Sequence, residues 1–263
     1  MDKLYVIKIG GNIIDDEIEL SSFLKSFSAI EEKKILVHGG GKIATKIGDK
    51  LGIASKYADG RRITDTETID LVTMVYAGLI NKKIVAQLQS LDCNAIGVTG
   101  ADGNLIPANK RPVNEIDYGF VGDVDTENML AIHWEELMSA GFTPVVAPIT
   151  HDGRGQLLNT NADNIAQEIA KVMSRFYDVS LIYSFEKAGV LLDVTDENTV
   201  IQNINPVSYK ELRTRDKIFA GMIPKLDNAF TALQSGVKKV IIGKAENLSG
   251  LIDGSTGTTI TNE

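Results

Sequence analysis

Residues 33–44 read Lys-Lys-Ile-Leu-Val-His-Gly-Gly-Gly-Lys-Ile-Ala. A short apolar run, Ile35 to Val37, is closed by His38-Gly39-Gly40-Gly41-Lys42, after which the chain takes up helical spacing. The same order opens the sequence, where Leu4 to Ile9 runs through Lys8-Ile9 into Gly10-Gly11. A buried strand that ends on glycines at the start of a helix is the repeating unit of a parallel sheet. Working outward, Ala95 to Val98, Val145 to Ala147, Leu181 to Tyr183 and Val240 to Ile242 repeat the apolar run and alternate with helix-period segments. These runs predict an α/β fold with a central, mostly parallel sheet, and no linker or internal repeat divides the chain.

One helix is marked by Thr64-Asp65-Thr66-Glu67, a capping-box pattern, followed by Ile69, Val72, Tyr76, Leu79 and Ile80 on a 3.6-residue period. Gly78 within it predicts a close approach, either by another part of the chain or by a second copy. Residues 99–124, rich in turn formers, predict hairpins, and another is expected around His151-Asp152-Gly153-Arg154-Gly155.

The composition narrows the function classes. At 263 residues, 43% hydrophobic and 24% charged, the chain can bury a full core, which excludes a disordered or fibrous protein. A net charge of −8 opposes binding to a polyanion, so a small molecule rather than nucleic acid is the expected partner. The single cysteine, Cys93, excludes an internal disulfide, and the scattered His38, His133 and His151 give no metal-binding helix. No apolar run nears the ~18 residues that would span a bilayer, and the start lacks a signal peptide's basic segment, so no membrane association and a cytoplasmic location are expected.

The chemistry is concentrated at four places. Glycines let the backbone close on a ligand, so the two clusters read as oxyanion cradles rather than only tight turns. The second is not a P-loop, because Leu36 and Ile43 stand where that motif needs glycine and a hydroxyl around Gly41-Lys42. Asn159-Thr160-Asn161-Ala162-Asp163 heads a helix carrying Ile165, Ile169 and Met173, with more polar groups than one cap requires. Gly221-Met222-Ile223-Pro224-Lys225 puts a lysine in the first turn of another helix, where a cation opposes the dipole unless an anion binds beside it. Two lysines, two glycine clusters and an aspartate are the parts of a phosphoryl-transfer site, and no good nucleophile accompanies them, which predicts direct transfer.

Taken in order, Lys8-x-Gly10-Gly11, His38-Gly39-Gly40-Gly41, Gly60-x-Arg62-Ile63-Thr64, Gly97-x-x-Gly100-x-Asp102-Gly103, Gly119-x-Val121-Gly122, Asn159-x-Asn161-Ala162-Asp163 and Gly221-Met222-x-x-Lys225 span nearly the whole chain. The series resembles the amino acid kinase superfamily, most closely its N-acetylglutamate kinase family. The resemblance implies an αβα sandwich in which two lobes share one sheet. Residues of about 1–158 would bind the acyl-amino acid, and those of about 159–263 would bind ATP. It implies Lys8, Lys225 and Asp163 as the catalytic residues, with Gly10, Gly11, Gly39, Gly40 and Gly41 binding the phosphoryl group. Gly40, Gly41, Arg62, Asn159 and Asn161 would hold the substrate. Lys8, Glu186, Lys187, Gly189 and Lys225 would hold the nucleotide. Mg2+ would be carried by ATP phosphates and water, with no protein metal site. The product would be an acyl phosphate of N-acetyl-L-glutamate, a step of arginine biosynthesis.

The chain departs from the family at Glu186-Lys187-Ala188-Gly189-Val190, where relatives usually read Asp-Val-x-Gly-Val. Its first strand begins near Leu4, leaving no place for the extra helix of arginine-inhibited relatives, so a homodimer without arginine inhibition is expected. Spare charge at Arg61 and Lys110-Arg111 offers N-succinyl-L-glutamate as an alternative substrate. Two other classes compete. A nicotinamide-dependent oxidoreductase using Gly39 to Ala44 needs an acidic residue closing the next strand, and Asp59 has the distance without a strand before it. A non-catalytic ligand sensor predicts loss of Lys8, Asp163 or Lys225, and all three are present.

Overall fold

A computed structural model describes residues 1–215, 218 and 222–263. Gly221 lies outside the described residues. The strands are β1 (Lys3–Ile9), β2 (Lys33–His38), β3 (Lys56–Ala58), β4 (Arg61–Ile63), β5 (Ala95–Val98), β6 (Ala108–Lys110) and β7 (Val121–Val124), followed by β8 (Thr143–Val146), β9 (Ile149–His151), β10 (Leu157–Thr160), β11 (Asp178–Phe185), β12 (Asn203–Ile204), β13 (Lys239–Lys244) and β14 (Thr258–Ile260). Eight of them form one sheet in the order β12-β14-β13-β11-β1-β2-β8-β5. From β13 to β5 every pairing is parallel, and these strands contain the six predicted apolar runs except Ala147, one residue beyond β8. The antiparallel β14 and the two-residue β12, both too short to stand out as apolar runs, complete one edge.

The strands carry nearly continuous apolar runs because helices cover both faces of the sheet. In β1 every residue after Lys3 is buried. Leu4 and Val6 enter one core with Ile35, Val37 and Leu181, while Tyr5, Ile7 and Ile9 enter a second core with Leu36 and Ile182. The first core is closed by α6 (Ala131–Ser139) through Trp134, α7 (Ala162–Met173) through Ile165, Ile169 and Met173, and α9 (Ile223–Gln234) through Leu226. The second is closed by α2 (Glu17–Ser28), whose Leu20, Phe23, Leu24 and Phe27 fall on one helical stripe, and by α5 (Asn81–Gln89). The predicted αβα sandwich is present.

The long helix differs from its prediction in two ways. Asp65, not Thr64, is the cap of α4 (Thr66–Val72), accepting from the Thr68 N–H at 2.9 Å. Thr64 instead accepts from Asn159 Nδ2 at 3.0 Å, a tertiary contact that a local capping pattern cannot reveal. Beyond Val72 the helix widens to π geometry over Thr73–Ile80 before continuing as α5. That change of pitch turns Leu79 outward, 40% exposed, while Tyr76 and Ile80 stay buried. Gly78 is exposed and would carry a Cβ without meeting a neighbouring atom within 4 Å, so no contact among the described residues explains it.

The hairpins predicted in residues 99–124 and around His151 appear as β6–β7 and β9–β10, which join in a four-stranded sheet. A third hairpin, β3–β4, was not predicted. It turns at Asp59 and Gly60, with φ of 49° and 73°, a pairing that suits a tight two-residue turn. Asp59 therefore sits in a turn rather than at the end of a parallel strand, and the nicotinamide reading loses its acidic residue. At the free edge of the large sheet, Gln89 donates to the Ala95 carbonyl and Lys82 to the Gly97 carbonyl, both at 2.9 Å.

Leu36 is fully buried in a strand between two others. Leu36→Ala is expected to cost about 2–5 kcal/mol, read as a lower urea midpoint with an unchanged m-value.

Candidate active site

Strands β2 and β11 flank β1 on opposite sides, which opens a crevice at the carboxyl ends of these strands. Both glycine clusters lie there. Gly10 precedes α1 (Gly11–Asp15) and Gly40 precedes α3 (Gly41–Leu51), and no side chain caps either helix, which leaves backbone N–H groups available to an anion. Gly40 has φ of +152°, and a Cβ there would press on the Tyr76 ring at 3.0 Å. Gly39 acts differently, because its N–H donates to Ile9 O at 3.2 Å and joins the two strand ends. Asn12 and Lys42 are hydrogen-bonded across the gap between the glycine turns.

A cavity of about 710 Å³ opens beside the turns. Among its walls are Gly10, Gly11 and Gly41, together with Glu186, Lys187, Gly189 and Lys225 from the carboxyl-terminal half of the chain. Lys8, 9% exposed at the end of β1, lies 2.7 Å from Asp163 Oδ1 in the first turn of α7. Lys225, in the first turn of α9, has its ammonium 3.5 Å from the centroid of Phe185, and the Lys8 ammonium is 5.8 Å from the same centroid. Burial holds Lys225 below the usual lysine range and Lys8 adds to that, against Asp163 and Glu186, which pull it up. The two lysines, 217 residues apart in sequence by their numbers 8 and 225, thus share one cleft.

Arg62, Asn159 and Asn161 are not among the residues that line this cavity. Arg62 is buried on β4 and donates to Gly41 O and Thr45 Oγ1, each at 2.9 Å, and also to Ser55 Oγ. Asn159 donates to Thr64, and Asn161 Oδ1 caps α7 by accepting from Asp163 N at 2.8 Å and Asn164 N at 3.1 Å. Simple capping therefore accounts for that oxygen. Gly189 packs against Thr258, with a would-be Cβ only 2.7 Å from its hydroxyl. The spare charge at residues 110 and 111 is largely committed: Arg111 is held by both carboxylate oxygens of Asp123, and Lys110 lies over Phe120. Sequence reasoning missed Phe185, Asn12 and the buried, unpartnered Ser184 hydroxyl on the cavity wall. The signal available was position alone, since residues 184 and 185 close the apolar run that precedes Glu186.

His38 anchors the second glycine turn. Fully buried, it hydrogen-bonds Gly39 O through Nδ1 at 2.8 Å and meets Asn81 Nδ2 through Nε2 at 3.2 Å. The neutral ring satisfies both contacts by donating from Nδ1 and accepting at Nε2.

The sequence pattern of the amino acid kinase family matches residues 3–244. The chain belongs to that family. Its relatives include the acetylglutamate kinase of Cytophaga hutchinsonii, 57% identical over 255 residues and 96% of each chain. The acetylglutamate kinase of Phocaeicola vulgatus is 52% identical over 98% of each chain, and that of Methanopyrus kandleri is 37% identical over 95% of this chain and 97% of its own. Among solved structures, smu.665 from Streptococcus mutans superposes with a TM-score of 0.78 at 27% identity, covering 100% of this chain and 99% of its own. Carbamate kinase from Giardia lamblia bound to AMP-PNP shares the fold at a TM-score of 0.70 and 12% identity, covering 100% of this chain and 99% of its own. Its membership makes the chain a kinase and removes the nicotinamide reading.

Burial lowers the His38 pKa to about 4 from an ordinary 6.5. Below pH 6.5 the unfolded chain binds a proton that the folded chain refuses, so stability falls from pH 6.5 toward pH 4 and levels off below it. Between pH 7 and pH 5 this amounts to about 2 kcal/mol. Urea midpoints at the two pH values should show that loss in the native chain, and His38→Gln should lack it.

Proposed function

We propose that this chain is an acetylglutamate kinase, transferring the γ-phosphoryl group of ATP to the side-chain carboxylate of N-acetyl-L-glutamate for arginine biosynthesis. The observation that carries the reading is the meeting of Lys8, paired with Asp163, and Lys225 beside two uncapped glycine turns. In the reaction a carboxylate oxygen attacks the γ-phosphorus, the bond to the β-bridging oxygen breaks, and ADP leaves without any proton transfer. Negative charge gathers on oxygens at both ends of the transferring group, which two flanking ammonium groups and fixed backbone N–H donors stabilise.

Lys8 and Lys225 would flank the phosphoryl group, with Asp163 fixing Lys8, while N–H groups of Gly10, Gly11, Gly40 and Gly41 would receive its oxygens. Arg62 would grip the α-carboxylate through its planar fork, and Asn159 and Asn161 would border the acyl-amino acid. Glu186, Lys187 and Gly189, which line the cavity, would contact the nucleotide. Asp163 is engaged by Lys8, so Mg2+ would be held by ATP phosphates and water, where it adds neutralising charge. In this reading residues of about 1–158 serve the acyl-amino acid and those of about 159–263 serve ATP. The exposed Met74, Gly78 and Leu79 on the π-helical segment would form a contact between two copies in a homodimer. A cytoplasmic location fits a chain whose only cysteine is free and buried.

An ADP-release assay with MgATP and a panel of N-acetyl-L-glutamate, N-succinyl-L-glutamate and free L-glutamate tests the substrate. Turnover is expected with N-acetyl-L-glutamate at the highest kcat/KM; preference for the succinyl compound would transfer the assignment to it. Lys8→Met and Lys225→Met should each lower kcat by about 10²–10⁴-fold while the thermal midpoint stays within a few degrees, and retained activity in either would refute the mechanism.

A further inference from the structure

The charge balance of the cleft is uneven. Asp163 is within ion-pair distance of Lys8, and among the described residues no carboxylate lies within 4.0 Å of Lys225. The charged groups that bear on Lys225 are Lys8 on β1, which repels it, and Asp163 on α7 and Glu186 after β11, which attract it from farther off. Among the described residues, the group set against its ammonium is the face of Phe185, 3.5 Å from ring centroid to nitrogen. The ring is itself held: it stacks on Tyr183 at 6.0 Å and 22°, and the Tyr183 hydroxyl donates to Asp163 O at 3.3 Å. One aromatic pair therefore locates both the aspartate that fixes Lys8 and the surface on which Lys225 rests.

We propose that Phe185 is a positioning residue for phosphoryl transfer, its ring face backing the Lys225 ammonium so that the charge stays beside Lys8 on the wall of the nucleotide cavity. This role rests on the kinase reading given above. An aromatic face suits this position better than a second carboxylate would. Its quadrupole attracts a cation without neutralising it and cannot take its proton, so the whole positive charge remains for the transferring group. A carboxylate in that place would add negative charge where phosphate oxygens must come. An aliphatic side chain would bury the ammonium with nothing to offset the lost hydration.

The test grades the ring's electrostatics at nearly constant shape. Phe185 is replaced in the full chain by 4-fluoro- and 3,4,5-trifluorophenylalanine, and by Phe185→Tyr and Phe185→Leu. With MgATP and N-acetyl-L-glutamate, kcat is expected to fall stepwise with fluorination, reaching about tenfold for the trifluoro ring and for Phe185→Leu. KM for the acyl-amino acid should be unchanged, and Phe185→Tyr should stay within about threefold of the native chain. Independently of turnover, protein labelled with 13C at the lysine ε-carbon should show, among the lysines that lie over rings, an upfield resonance assigned to Lys225 by its loss in Lys225→Arg, and this resonance should return to the ordinary lysine position in Phe185→Leu. Native kcat with the trifluoro ring, or a Lys225 resonance without a ring shift, would overturn the proposal. A ring-shifted lysine in a protein without kinase activity toward any acyl-glutamate would instead overturn the functional reading on which the role depends.

Discussion

The contact between Lys8 and Asp163 is the interaction on which the site depends. A lysine at the end of a central strand is nearly enclosed, and an ammonium there without a partner would carry a heavy desolvation cost. Asp163 supplies the partner at 2.7 Å because Asn161 starts α7 at the right place, accepting the N–H of Asp163 itself. Helix capping, strand register and charge compensation therefore meet in three consecutive residues, 161–163. The pair also leaves the cleft with an excess of positive charge, since Lys225 is nearby and has no carboxylate of its own among the described residues. That excess is what a polyphosphate requires, although the whole molecule is acidic.

The sheet order explains how remote residues reach this point. Because β1 lies between β2 and β11, the carboxyl ends of three strands open onto one crevice, and Gly10, Gly39 and Phe185 occupy those ends. Both glycine helices point uncapped amino ends into it. The glycines are fixed in place by contacts that allow no side chain at residue 40, and by the bond from Gly39 to Ile9. Rigid strand ends hold the donors before any ligand arrives, which is the condition for electrostatic preorganisation.

Much of this was legible in the sequence, for identifiable reasons. Six parallel strands announce themselves because each is buried on both faces and so carries a short, nearly continuous apolar run. Glycines after strands, and polar residues before an amphipathic helix, are local signals that survive without coordinates. What was hidden depends on contacts between distant residues. Thr64 looks like a cap until Asn159 is seen to claim it, and the π-helical widening that exposes Leu79 leaves no mark on a 3.6-residue pattern. The Asp59-Gly60 turn was visible as a dipeptide, but its strands are only three residues long and mostly polar. Phe185 had no chemical reason to be noticed until two ammonium groups were found around its ring. The charge at Arg111 looked free because Asp123 lies on the next strand of a hairpin.

The edge formed by β5 has a further consequence. Its outward carbonyls at Ala95 and Gly97 are already taken by Gln89 and Lys82, side chains reaching over from α5. A foreign strand approaching this border would find its acceptors occupied and would have to displace an amide and an ammonium to add itself to the ladder. At the other border β12 offers only two residues. The broad sheet thus offers little open ladder at either end as a template for a foreign strand.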